Sequence, residues 1–296
     1  MKRWVLIGAA LLAVMVSGFL VYYALDDESQ PTPAEYELDR YEEMVRQEPD
    51  NLTLRIGLAN LYLQNDRYQE AIGQYQQILL LEEDHLGALI GLGLAYMQQG
   101  DNGEARAHFN RVVELTAGAE FAALDRRLEM VHFFLGSMYL EEGQTASAID
   151  EFRQALAINE GNADTFHRLA TALHDQGELT EAIEAYSRAV SLAPDFIEAY
   201  QGLAEAYEEE GRQGERLYAV GMVALFQDDL NEAIQQLTEA TEMMPDLANA
   251  WWGLGYAWER KGAIDQALSG YVQTLELDPG HILANQGLNR LRDTRQ

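Results

Sequence analysis

A 34-residue period runs through most of this chain and leaves few folds open to it. Counted from Leu52, the eighth slot of each period holds Ala59, Gly93, Gly136, Ala170, Ala204, Gly221 and Gly255. The slot before it holds Leu58, Leu92, Leu135, Leu169, Leu203, Val220 and Leu254. Three residues beyond the small one stand Tyr62, Tyr96, Tyr139, Leu173, Tyr207, Ala224 and Trp258. The twentieth slot is Ala71, Ala105, Ala148, Ala182, Ala233 and Ala267, and four residues on come Tyr75, Phe109, Phe152, Tyr186, Leu237 and Tyr271. Pro49, Pro194, Pro245 and Pro279 fall just past the end of each second helix, where the missing N–H and the bulky ring stop it. The chemistry of these slots is packing. Two antiparallel helices approach most closely at Ala or Gly, and the aromatic fills the space beside that contact. One such pair cannot bury its own apolar face, so stability comes from stacking neighbours. A coiled coil would instead require sustained heptads without punctuation.

In residues 163–196, Phe166, Leu169, Ala170, Ala182, Tyr186, Ala189 and Pro194 stand as they do in the tetratricopeptide repeat (TPR), and the chain resembles that family over about 52–281. The resemblance implies an all-α, right-handed superhelical solenoid whose concave groove binds peptides or helices. The repeats are expected at about 52–85, 86–119, 129–162, 163–196, 214–247 and 248–281, with a half-unit at 197–213. Residues 35–48 read as an orphan second helix with Tyr41 and Pro49 in register, and 282–292 as a terminal helix, so the solenoid spans 35–292. The small slots are spaced 34, 43, 34, 34, 17 and 34, and the two exceptions predict irregularities. Nine extra residues, Glu120 to Leu128, place Phe121, Leu124 and Leu128 at helical spacing, so the first helix of 129–162 is expected to start early and project. After 197–213 a second helix is missing or replaced, because 214–227 again reads as a first helix and Arg216 occupies an Ala slot. The stack is expected to be irregular around Gly211–Gly214.

Lys2 and Arg3 precede an uncharged apolar stretch from Trp4 to Leu25, which Asp26, Asp27 and Glu28 end abruptly. A helix of that length matches the roughly 30 Å hydrocarbon core of a bilayer. Residues 1–25 are therefore expected to be an uncleaved signal-anchor transmembrane helix, and 26–34, with Pro31 and Pro33, a short linker. A cleaved signal peptide would use Val5 to Met15 as its apolar core and cut near Ser17–Gly18, but apolarity continues unbroken through Tyr22. Positive charge stays inside, so the expectation is a single-pass bacterial membrane protein with a cytoplasmic N-terminus. Its solenoid then lies in the periplasm or at the cell exterior.

The formal charge of −29, from 20 basic and 49 acidic residues, excludes nucleic acid as a plausible partner, because phosphate binding needs clustered cations. There is no cysteine, which removes thiolate metal sites, Cys nucleophiles and disulfides. His167 and His174 share a helix face with Asp164 and Asp175, but two helical turns separate them by about 10 Å, too far for one metal. No phosphate loop, zincin pair or nucleophile elbow is present. No enzyme activity, cofactor, metal or small-molecule substrate is expected.

In the family, slots 2, 5, 9, 12 and 13 of first helices line the groove. By that resemblance the partner-binding residues are Ile56, Asn60, Leu63, Ile90, Leu94, Met97, Phe133, His167, Tyr218, Trp252 and Tyr256. Apolar and aromatic side chains there suit an apolar peptide or an amphipathic helix. A family subset clamps acidic C-terminal tails with Lys and Asn. Asn60 matches one such slot, but Ile56, Ile90 and Phe133 stand where Lys is wanted, so the clamp does not carry over. The expected function is a membrane-anchored scaffold or adaptor that binds partner polypeptides and supports assembly or stability of an envelope or membrane complex. The alternative is a permanent structural subunit of such a complex.

Overall fold

The computed structural model describes residues 32–118 and 125–293 and, among them, folds the chain into fifteen α-helices in two compact units that divide at Leu115. In the first unit are α1 (Pro33–Gln47), α2 (Leu52–Gln64), α3 (Tyr68–Leu81), α4 (Leu86–Gln98) and α5 (Asn102–Thr116), the last residue of α5 opening the second unit. The second holds α6 (Arg126–Glu141), α7 (Thr145–Ile158), α8 (Ala163–Gln176), α9 (Leu179–Leu192), α10 (Ile197–Glu209), α11 (Gln213–Phe226), α12 (Leu230–Met243), α13 (Ala248–Arg260), α14 (Ile264–Leu277) and α15 (Ile282–Asp293).

Two kinds of connection alternate. Within a repeat, the turn puts one residue in the left-handed region: Asp66, Gly100, Gly143, Gly177, Gly211, Asp228 and Gly262, with φ between 58° and 84°. These positions are spaced as the small slots are, so turn chemistry and core packing report one register. Glycine suits the position because it has no Cβ to clash there. Between repeats, a longer link ends on a helix cap. Asn51 accepts from the Leu54 N–H, and Asn162 from the Thr165 N–H.

The small slots do what the period requires. Ala59, Ala71, Ala105, Ala148, Ala170, Ala182, Ala233 and Ala267 have no exposed surface. A Cβ on Gly93 would lie 2.4 Å from the Phe109 ring, and one on Gly136 2.8 Å from Phe152. The orphan second helix is α1, whose Tyr41 ring leaves only 2.5 Å for a Cβ on Gly57. It begins at Pro33, inside the expected linker, because Thr32 and Glu35 form a reciprocal capping box and proline is preset for a first helical turn.

At the half-period no helix is missing. The turn after α10 is of the within-repeat kind, with Gly211 at φ 71°, and the turn after α11 is too, with Asp228 at φ 68°. Two such turns in succession make α11 the second helix of one pair and the first helix of the next. It packs on α10, on α12 and on α13. Arg216, at the Ala slot, escapes the interface and reaches Glu208 at 3.5 Å with its side chain about a third exposed. At the other irregularity α6 does start early, at Arg126, capped by Asp125, but Leu128 is buried rather than projecting. Residues 120–124 of that insertion lie outside the described residues, as do the expected anchor, 1–25, and linker residues 26–31. Among the described residues no helix is long and apolar enough to cross a membrane.

Candidate partner-binding surfaces

First helices touch one another directly in both units: α2 with α4, then α6 with α8, α8 with α10, α11 with α13 and α13 with α15. Their shared face is where the expected site residues fall. In the first unit Ile56, Leu63, Leu94 and Met97 are half-buried and Asn60 is exposed, forming one stripe along α2 and α4. Ile56 reaches towards α4, since a Cβ on Gly87 would lie 3.7 Å from its Cδ1. Ile90, expected on that stripe, is instead buried, 7% exposed, and belongs to the core. Asn60 is held in place: its Oδ1 accepts the Tyr75 hydroxyl at 2.6 Å.

That last contact belongs to a recurring device. Each tyrosine in the twenty-fourth slot is pressed between helices and meets a glycine in the sixth slot of the following first helix. A Cβ would stand 2.2 Å from Tyr75 at Gly91, 2.3 Å from Tyr186 at Gly202 and 2.5 Å from Tyr271 at Gly287. The gap lets the hydroxyl reach a residue of its own first helix: Asn60 for Tyr75, Thr171 at 3.3 Å for Tyr186, and Glu259 for Tyr271. Where phenylalanine fills the slot, as Phe109 and Phe152 do, the sixth slot that follows is Phe134 or Arg168. Burial pushes the Tyr75 phenol up to about 12, so it remains a donor. Glu259 also receives Arg290, whose Nε and Nη2 lie 2.6 and 2.8 Å from its two oxygens. Burial alone would raise that carboxyl, but the bonds from Arg290 and Tyr271 outweigh it and hold it below its usual value.

In the second unit Phe133 is half-buried, with ring centroids 5.6 Å from Phe134 and 6.1 Å from Phe152. His167 is half-buried between Phe196, 4.9 Å away, and Tyr186, 5.8 Å away, and burial lowers its imidazole pKa. His174 turns elsewhere, with Nε2 3.1 Å from Glu209. Tyr218, expected at the surface, is buried; its hydroxyl pairs with that of Tyr200, and burial raises its phenol well above normal. Trp252 is also buried, stacked between Tyr256 at 5.8 Å and His281 at 5.9 Å.

Trp252 nonetheless borders open space. It lines two adjoining cavities of about 560 and 450 Å³, together with Pro194 and Leu283, which are also common to both. The larger is walled by Tyr200, Leu203 and Tyr207 of α10, Tyr218 of α11, and His281 at the start of α15. The smaller adds Phe226 and Tyr256. Of the expected groove residues, Trp252, Tyr256 and Tyr218 border these cavities; Tyr200 and His281, from the fourth slot of α10 and from a link between helices, border the larger one and were not among those expected.

The profile of the tetratricopeptide repeat matches residues 38–84, 56–120 and 218–282, and a second TPR profile matches 136–177 and 170–211. The chain belongs to the tetratricopeptide-repeat family. Among solved TPR-like structures, a crystal structure of MamA is 26% identical and covers 62% of this chain and 97% of its own, with a TM-score of 0.50. Another crystal structure of MamA is 25% identical over 68% of this chain and 95% of that one, again with a TM-score of 0.50. The C-terminal part of a TPR repeat-containing protein from Cytophaga hutchinsonii shares the fold at 16% identity, covering 86% and 94% with a TM-score of 0.55. No curated protein matches the chain in sequence. A TPR array of this kind is suited to protein–protein interaction, and apolar side chains keep open surface on α2 and α4 and at the aromatic cavities of the second unit.

Proposed function

We propose that this TPR protein is a membrane-anchored adaptor that holds other polypeptides outside the cytoplasm and supports assembly or stability of an envelope or membrane complex. The observation that carries the reading is the set of Ile56, Leu63, Leu94 and Met97, apolar side chains of α2 and α4 that keep part of their surface open. Such surface fits the apolar side of a peptide or helix. The anchor rests on Lys2 and Arg3 followed by the apolar run from Trp4 to Leu25. Two measurements test the proposal. Protease added to spheroplasts should digest the TPR array, and digestion only after lysis would overturn the orientation. Affinity capture with the full chain should recover a partner that Leu94→Asp with Met97→Asp releases while circular dichroism stays helical; unchanged recovery would remove the stripe as the contact.

A further inference from the structure

The paired cavities at Trp252 lie where α11 serves two repeats. There α10 and α11 pack on each other directly, and the end of α9 with Pro194 borders the same cavity as the start of α15. The walls are aromatic, and their charges are lopsided. Every arginine at the cavities or against their walls is already matched. Arg290 pairs with Glu259, Arg260 with Asp228, and Arg212, 4.6 Å from the Tyr207 ring, with Glu210 and Glu215. Burial lowers the pKa of the His281 imidazole, whose Nδ1 accepts the Ala284 N–H and whose Nε2 lies 3.1 Å from the Asn249 amide oxygen. That leaves Asp278 at the larger cavity and Asp195 at the smaller, neither in an ion pair among the described residues. Each of the two cavities that share Trp252 therefore carries one carboxylate outside any ion pair, Asp278 also accepting the Gly280 N–H.

We propose that this double cavity takes a basic peptide segment of a partner protein, with an apolar or aromatic side chain lodged against Trp252 and lysine or arginine side chains reaching Asp195 and Asp278. The assignment rests on the adaptor reading above and names the chemistry of its partner. Two adjoining chambers suit neighbouring side chains of one segment better than one compact solute. Aromatic walls attract a cation held over their faces, and the excess negative charge of the chain speeds the encounter.

The test uses the purified full chain in a non-ionic detergent and a fluorescein-labelled twelve-residue peptide of alternating leucine and lysine, read by fluorescence anisotropy. Asp195→Asn with Asp278→Asn should weaken binding about fivefold or more, the loss of two exposed charge contacts. Glu37→Gln with Asp39→Asn removes the same net charge from exposed positions on α1 and should leave binding unchanged. Asn249→Lys, which puts a cation at the cavity rim in place of the contact with His281, should also weaken it. The leucine–glutamate peptide should not bind. Equal effects of the two double variants, no effect of Asn249→Lys, or equal binding of the acidic peptide would overturn the assignment. If the cavity variants are silent while Leu94→Asp with Met97→Asp still releases a captured partner, the cavity assignment falls and the adaptor reading stands.

Discussion

At the scale of single residues, the clasp between tyrosine and glycine decides how closely successive pairs can stack. The atom missing from Gly91 would sit 2.2 Å from the Tyr75 ring, and the ring cannot retreat without losing the Asn60 bond. Gly91→Ala is expected to cost about 1–3 kcal/mol by overpacking, measured by thermal or urea unfolding. Tyr75→Phe, which keeps the ring and drops one hydrogen bond, should cost about 1 kcal/mol. If both are silent, the clasp is not holding the stack. Glu259 adds a dependence on acid. Its carboxyl is held below the usual value, so its contribution is present above the unfolded value near 4.5 and is lost as pH falls through the lower folded one. Glu259→Gln should therefore lower the Tm at neutral pH and narrow the gap to the parent below pH 4.5, as a pH series of melts would show. The small slots were legible in the sequence because Ala and Gly at fixed spacing are themselves the packing. The clasp was legible too, in Gly57, Gly91, Gly202 and Gly287 each following a tyrosine slot, but it shows only when one repeat is compared with the next. Burial of Ile90, Tyr218 and Trp252 was not legible, because exposure at a groove slot depends on what the neighbouring helix brings against it.

At the scale of elements, the turns carry as much register as the helices. Five of the seven within-repeat turns have glycine at the left-handed position, and Asp66 and Asp228 hold it at some strain. Asp228→Gly relieves that strain and gives up only an exposed ion pair with Arg260, so it should stabilise the chain by about 0.5 kcal/mol, read as a higher urea midpoint. A fall in midpoint would mean that the ion pair outweighs the backbone. The half-period after Ala204 was plain in the sequence, but the helix doing double service was not. Arg216 at an Ala slot argued against a second-helix role, and only the structure shows its guanidinium swung out to Glu208. The early start of α6 was legible from the spacing of Leu128. Its burial was not, because the same apolar spacing serves a packed helix and a free one.

At the scale of the molecule, −29 is a large charge for 296 residues, and its carboxylates repel one another across the surface. The ion pairs that offset this are mostly exposed, as with Arg153 and Glu181, each about half exposed, and such pairs contribute little. Raising NaCl from about 20 to about 300 mM should therefore raise the Tm, since screening relieves repulsion more than it weakens those pairs. A lower Tm in salt would reverse that ranking. Repeat proteins are also written in words, and α11 shifts the reading frame of this one by half a word. Residues 213–229, one helix and one turn, are the shift itself. Excising those seventeen residues would join Arg212 to Leu230, put Ala233 in the slot that Arg216 now holds, and keep Pro245 in its place behind a second helix. From Gly136 onward the shortened text would scan in whole repeats, foldable by the same grammar, and would have lost a passage that says something its repeats do not.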